Sequence, residues 1–234
     1  MSHVYAGANV SERRALPPLL AVSTVIFALR PAAEGETPVL HLPLVRRTRP
    51  PFDGDWALPG APLGASESLV DAAARTLAET TGLAPRYLEQ LYSFGGLQRS
   101  PDQRVVSIVY WALVRPDEAE ATRQVENVRW FPAAEVRGLA FDHDEIVAYA
   151  LERLRTKAEY GAIAHRLLGE RFTLAQLHEV SEALQGRTID PANFRRQIAQ
   201  VPAIEATDEY LEGGRHRPPR LYRYTGPEAA PLQP

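Results

Sequence analysis

The first half of the chain alternates between apolar and polar positions with a period of two. Ser23 to Arg30 reads STVIFALR and Thr37 to Arg47 reads TPVLHLPLVRR, the signature of paired strands around the loop PAAEGE. LEQLYSFGG and RVVSIVYWALVR predict two more strands. The second is apolar on both faces and is therefore expected at the centre of a sheet. VRWFPAAEV adds a short strand and turn. Helical signals interrupt this pattern twice. Ser68 with Asp71 predicts a capping box, Ala72 to Ala74 favour helix, and Gly82 suits the left-handed position after it. DHDEIVAYALERLRTKAEYG, from Asp142, predicts a long helix. A mixed α/β domain is expected over 18–158, after a flexible N-terminus at 1–17.

The remainder changes period. FTLAQLHEVSEALQGR sets Leu174, Leu177, Ser181 and Leu184 on one helical stripe. DPANFRRQIAQV begins with Asp190 as N-cap and Pro191 at the first helical position, with Phe194, Ile198 and Val201 as its buried stripe. Asn193, Arg196, Gln197 and Gln200 fall on another face. PAIEAT and PRLYRYT predict a hairpin around GGRHRPPRLYR, which carries four arginines, one histidine and no acid. Two short helices and a basic-tipped hairpin describe a winged helix-turn-helix. It is expected over 159–226, with a tail at 227–234.

Composition narrows the picture. The chain has no cysteine, which excludes a disulfide framework and a thiolate metal site. No apolar run is long enough to span a bilayer, and no small-residue cleavage site follows Arg13 and Arg14, so a cytoplasmic protein is expected. The net charge of −3 does not advertise a nucleic-acid partner. Local charge does, because a basic loop binds phosphate whatever the total. Lys157 is the single lysine among 26 basic residues, so arginine abundance by itself carries no information.

LPGAPLGASESLVDAAARTLAETTGL, from Leu58, holds the first chemical clue. It resembles the Nudix box, G-x5-E-x7-R-E-U-x-E-E-x-G-U, where U is apolar. Glu67, Arg75, Leu77, Glu79, Gly82 and Leu83 match, and WALPG before the box is similar to the ADP-ribose and nucleotide branch. Ala61 replaces the first glycine, and Thr76 and Thr80 replace two glutamates. Positions 76, 79 and 80 share one helical face. Three carboxylates there would hold magnesium and generate the attacking hydroxide; hydroxyls do not supply that charge. No metal and no cofactor are expected, and Glu79 is expected to pair with Arg75. An enzyme with displaced ligands, drawn from Glu118, Glu120, Glu126 and Asp144, is the alternative.

A Nudix domain followed by a winged helix resembles the Nudix-related regulators of bacterial NAD metabolism, the NrtR family. Asn-Phe-Arg-Arg in the second helix and GGRHRPPRLYRY in the hairpin carry the more specific likeness. The fold expected is a Nudix-like mixed-sheet α/β (α+β) sandwich followed by a winged helix-turn-helix. The resemblance implies a repressor of NAD synthesis or salvage genes. Its ligand would be ADP-ribose or NAD, bound without cleavage and releasing operator DNA. The same architecture tuned to another metabolite, such as a sugar, is a further alternative.

Roles follow from residue chemistry. Asn193, Arg196, Gln197 and Gln200 are expected to read bases in a major groove. Arg187, Thr188 and Arg195 are expected on phosphates, and Arg215, His216, Arg217 and Arg220 in the wing on backbone or minor groove. Tyr222 and Tyr224 are expected to pack in the wing core. One winged helix makes few contacts, so a homodimer on a near-palindromic double-stranded site is expected. Candidates for the ligand are Arg47, Phe52, Trp56, Glu79, Arg99 and Arg104. The arginines would meet phosphates where an enzyme would use magnesium, and Trp56 would either stack on a base or pack in the core.

Overall fold

The computed structural model describes residues 17–31, 38–83, 87–115, 118, 126–159, 163–212 and 218–226. Its first unit is a mixed sheet built on β1 (Leu19–Pro31). Strand β1 runs antiparallel to β2 (Pro38–Arg46) at its end and to β4 (Gly60–Pro62) near its start. Along its other edge it runs parallel to β6 (Val105–Val114). The two short strands β3 (Trp56–Ala57) and β7 (Val128–Pro132) pair with β2, and β5 (Tyr87–Phe94) pairs with β6. The central place expected for RVVSIVYWALVR is the one observed. The β1 alternation extends four residues further towards the N-terminus than its pattern predicts, because Leu19 to Val22 continue the parallel ladder with β6.

Strand alternation divides the core. Val25, Phe27, Leu29, Val109, Trp111 and Leu113 point to one face. Val22, Ile26, Ala28, Ile108, Tyr110 and Ala112 point to the other. Helix α1 (Leu69–Thr81) covers the second face with Ala72, Ala73 and Leu77. Helix α2 (His143–Glu159) covers the first with Ile146, Val147, Ala150, Leu154 and Ala158, spaced three and four apart.

The α1 N-cap differs in detail from the expected box. Ser68 Oγ accepts from the Asp71 amide at 3.2 Å, as expected. The return contact is a hydroxyl donated to the Asp71 carboxylate at 2.7 Å, because an aspartate is one carbon shorter than the glutamate that usually reaches back. Gly82 closes the helix at φ 72°, the left-handed conformation glycine adopts without a Cβ penalty.

A 3-10 turn (Ala164–Leu167) leads into the second unit. Strand β8 (Phe172–Thr173) precedes α3 (Leu174–Gln185) and α4 (Pro191–Ile198), and β9 (Ile204–Tyr210) and β10 (Arg220–Tyr224) form the hairpin. Strand β8 joins that hairpin in a three-stranded sheet, a pairing its two residues were too short to announce. The full capping box sits at α3, where Thr173 and Gln176 bond reciprocally. Leu177, Leu184, Phe194 and Ile198 share one continuous core with α2, and Tyr222 and Tyr224 pack against it as expected.

Candidate functional site

Glu67 and Arg75 brace the start of α1. Arg75 donates to both Glu67 oxygens, at 2.9 and 2.7 Å, and Glu67 also accepts from the Gly64 amide at 2.6 Å. These bonds hold the Glu67 carboxyl down at about 2, the Arg75 guanidinium contributing most. Glu79 pairs with Arg75 at 3.2 Å across one helical turn. It therefore belongs to the brace and lines neither cleft described below.

The two threonines differ from each other. Thr76 is 1% exposed, facing the sheet, with its hydroxyl unpartnered among the described residues. Thr80 donates back to the Thr76 carbonyl and borders a cleft of about 220 Å³. Arg46, Arg47, Thr48, Arg49 and Asn127 also line that cleft, and among the described residues no carboxylate does. This set does not fit magnesium, which needs hard anionic oxygens. It fits a bound anion.

A second cleft, of about 260 Å³, lies across the Leu58–Gly60 segment and shares Arg47 with the first. Its walls include the Ser23–Ser107 hydroxyl pair (2.9 Å), Arg99, Asp102, Gln103, Phe141 and His143. Gly60 passes so close to β1 that a Cβ there would meet Ser23 Oγ at 2.8 Å, which explains a glycine at the partition. Jointly the two clefts reach the size of small-molecule sites.

Of the ligand candidates, Arg47 is the one at the junction. Its Nε donates to Pro51 at 2.8 Å and its guanidinium lies 4.6 Å above the Phe141 ring. Arg99 lines the second cleft, but Asp142 holds it by bonds of 2.9 and 2.8 Å. Phe52 stands beside the cleft at φ 65°, its ring edge-on to Phe141 at 4.9 Å. Besides Glu79, Trp56 and Arg104 line neither cleft. Trp56 is half-buried against the core, edge-on to Phe131 at 5.0 Å. Arg104 donates to the Gly96 carbonyl at 3.0 Å and so closes its own turn.

Sequence reasoning missed two histidines. His143 Nδ1 accepts from the Leu58 amide at 3.0 Å, and burial pushes its pKa down to about 4, so it is neutral. His165 stacks on Tyr224 at 3.7 Å between the two units and is also lowered to about 4, mainly by burial and then by Arg166. No motif surrounds either residue, and only the tertiary fold reveals them. His165 borders an inter-unit cleft of about 600 Å³ that mixes Arg115, Arg166, Arg171 and Arg223 with Glu118 and Glu170. Of the displaced-ligand candidates, Glu118 accepts from the Arg115 amide and Asp144 from the Gly138 and Leu139 amides. Glu120 lies outside the described residues, and Glu126 lines neither small cleft. Among the described residues no three acids or histidines cluster as a metal site.

In the winged unit, Asp190 Oδ1 accepts from the Asn193 amide at 2.7 Å and fixes the start of α4. Phe194 and Ile198 are buried, while Asn193, Arg195, Arg196 and Gln197 are exposed. Helix α4 ends at Ile198, so Gln200 sits in the following turn instead of on the helix face. The tight bonds Gln200 N to Gln197 O and Val201 N to Ile198 O make that turn, and Pro202 follows. Gln197 and Gln200 both border a cleft of about 290 Å³ beneath the helix. Arg187 and Thr188 are exposed in the turn between α3 and α4. Arg220 bonds to Thr207 and Asp208 at the loop end of the hairpin. Arg215, His216 and Arg217 lie outside the described residues.

Comparison with known proteins agrees with this division. The Nudix domain family matches residues 20–154, and the NrtR DNA-binding winged helix domain matches 164–224. The ADPR responsive transcriptional repressor NtrR of Acinetobacter baylyi is 32% identical over 88% of this chain and 82% of its own length. The chain belongs to the NrtR family. Shewanella oneidensis NrtR, solved in complex with a 27mer DNA, is 33% identical over 88% of this chain and 93% of that one, with a TM-score of 0.73. Its Nudix domain, solved with ADP ribose, is 33% identical over 66% of this chain and 99% of that one, with a TM-score of 0.52. The arginine-lined clefts and the exposed face of α4 lie on two units that share a core. No helix among the described residues is long and apolar enough to cross a membrane.

Proposed function

We propose that this chain is an ADP-ribose-responsive transcriptional repressor that binds its ligand without cleaving it. The observation that carries this reading is the cleft bordered by Thr80, where Arg46, Arg47 and Arg49 stand and, among the described residues, no carboxylate does. An active pyrophosphatase needs cations held there by acids. Here the protein supplies the positive charge itself, with Arg47 reaching both clefts. The relatives support the ligand class and the DNA partner: one is named for its response to ADPR, and others were solved with ADP ribose and with DNA.

The DNA roles follow the exposed faces. Asn193, Arg196 and Gln197 read base edges, with Gln200 at the end of the same surface. Arg187, Thr188 and Arg195 hold phosphates, and Arg215, His216, Arg217 and Arg220 meet backbone or minor groove. Arg220 is also within reach of Asp208, at 3.4 Å. Two copies pair on a near-palindromic site upstream of NAD synthesis or salvage genes. Ligand releases DNA by preferring an arrangement of the winged heads that does not fit the site.

Calorimetric titration with ADP-ribose tests the ligand half, run once with EDTA and once with magnesium, with AMP assayed in each. Equal binding in both and no AMP is expected, with Arg47→Ala weakening binding about tenfold or more. Binding that requires magnesium and yields AMP steadily would make the chain a hydrolase. Binding of a sugar but not ADP-ribose would make it a regulator of a different pathway.

A further inference from the structure

We infer that Asp142, through its buried ion pair with Arg99, is the positioning residue that lets an anion in the ligand cleft move the long helix and the winged head. The inference rests on the ligand reading above and goes beyond it by naming the coupling element. Arg99 lines the second cleft with its side chain 5% exposed, and Asp142 is 15% exposed. Both guanidinium bonds are shorter than 3 Å and parallel, the geometry that makes such pairs directional.

Asp142 opens α2, its carbonyl accepting from Ile146. The neighbouring residues fasten the same helix start, one of them, His143, to the cleft-lining Leu58. Leu58 donates to His143, the Ala140 amide donates to Trp56, and Asp144 accepts from Gly138 and Leu139. At the far end, Leu154 and Ala158 share the core with Leu177, Phe194 and Ile198 of the helix-turn-helix. Helix α2 is thus a rod of 17 residues with one end in the ligand site and the other against the DNA-binding unit. Such a rod is about 25 Å long, and a tilt of about 5° at its start moves its end by about 2 Å.

The signal is charge. A phosphate oxygen entering the second cleft competes with Asp142 for the Arg99 guanidinium and repels the Asp142 carboxylate. Arg47 differs, since its bonds go to Pro51 and Arg49 in its own loop. It grips ligand, whereas Arg99 passes the grip on to α2. A neutral ligand such as adenosine would leave the pair intact.

The test is Asp142→Asn in the full-length protein. Operator affinity is measured with and without saturating ADP-ribose, and ADP-ribose affinity by calorimetry. Wild type should lose operator affinity about tenfold or more on saturation, within the usual range of coupling. The variant should bind operator normally without ligand and bind ADP-ribose at least as tightly, since Arg99 is no longer shared. Its operator affinity should change less than about twofold on saturation. Damaged packing alone would weaken both affinities together. If Asp142→Asn melts far below wild type, Asp142→Ser, which keeps a hydroxyl at the helix start, takes its place. Full ligand-driven release by a folded, ligand-binding variant overturns the inference and leaves the repressor reading standing. A wild-type protein that binds ADP-ribose yet never releases DNA overturns both.

Discussion

Helices α1 and α4 use their residues in opposite ways. Helix α1 keeps its frame: the Ser68 cap, the Glu67–Arg75–Glu79 brace and the left-handed Gly82 are all in place. What it lacks is acid at 76 and 80. Helix α4 has little frame, with eight residues, one cap and two buried anchors. Nearly everything else on it is outward-facing chemistry. The first helix shows that the charged frame of such a helix closes on itself, Glu67 and Glu79 both pairing with Arg75. The second shows that a reading head needs only enough packing to fix its angle.

The largest expected effect is at an anchor of α4. Phe194 is buried and packs edge-on against His178 at 4.9 Å. Phe194→Ala should destabilise the chain by about 3–5 kcal/mol and abolish operator binding, measured by thermal melting and anisotropy. Restoring acid to α1 should separate its two threonines. Thr76→Glu would bury a charge with no partner and cost about 3 kcal/mol. Thr80→Glu should fold, yield no AMP with magnesium, and weaken ADP-ribose binding about tenfold by repulsion. Detectable hydrolysis from the second variant would mean that the frame alone had been waiting for one ligand.

The histidines give a smaller effect, with a sign fixed by burial. In the folded chain His143 and His165 titrate at about 4, below the ordinary value of 6.5. Between those values the unfolded chain takes up protons that the folded one refuses, so stability should fall as pH drops from about 6.5 to 4. For the more buried His143 the loss is on the order of 2–3 kcal/mol. Melting of wild type and His143→Gln across that window checks it, the variant showing the shallower slope. On α4, Arg196→Ala should cost about 1–3 kcal/mol of operator affinity and relax preference at one base position. The mildest change, Arg195→Ala, should weaken all DNA alike and lower the salt slope by about 1.

Periodic and capped features were legible in the sequence, and features made by distant residues were not. The apolar character of RVVSIVYWALVR on both faces placed a central strand, and Asp190-Pro191 placed the start of α4. The two-residue strands β3 and β8 carry no period, so only pairing reveals them. Arg47 was identifiable as an arginine at a strand end. Arg99 was picked for its charge, but its partner Asp142 lies 43 residues away, so its role stayed hidden. Trp56 left stacking and core packing both open in the sequence, and its packing against Phe131 is a tertiary contact. The Arg46–Arg49 run was visible, while its assembly with Thr80 and Asn127 into one cleft was not.

One titration tests whether frame and chemistry have parted as described. The full-length protein, bound to labelled DNA from upstream of the NAD-synthesis genes of its own genome, is titrated with ADP-ribose and magnesium while anisotropy and AMP are followed together. DNA release with no AMP is the predicted result. Steady AMP with no operator binding would contradict it and restore α1 to catalysis.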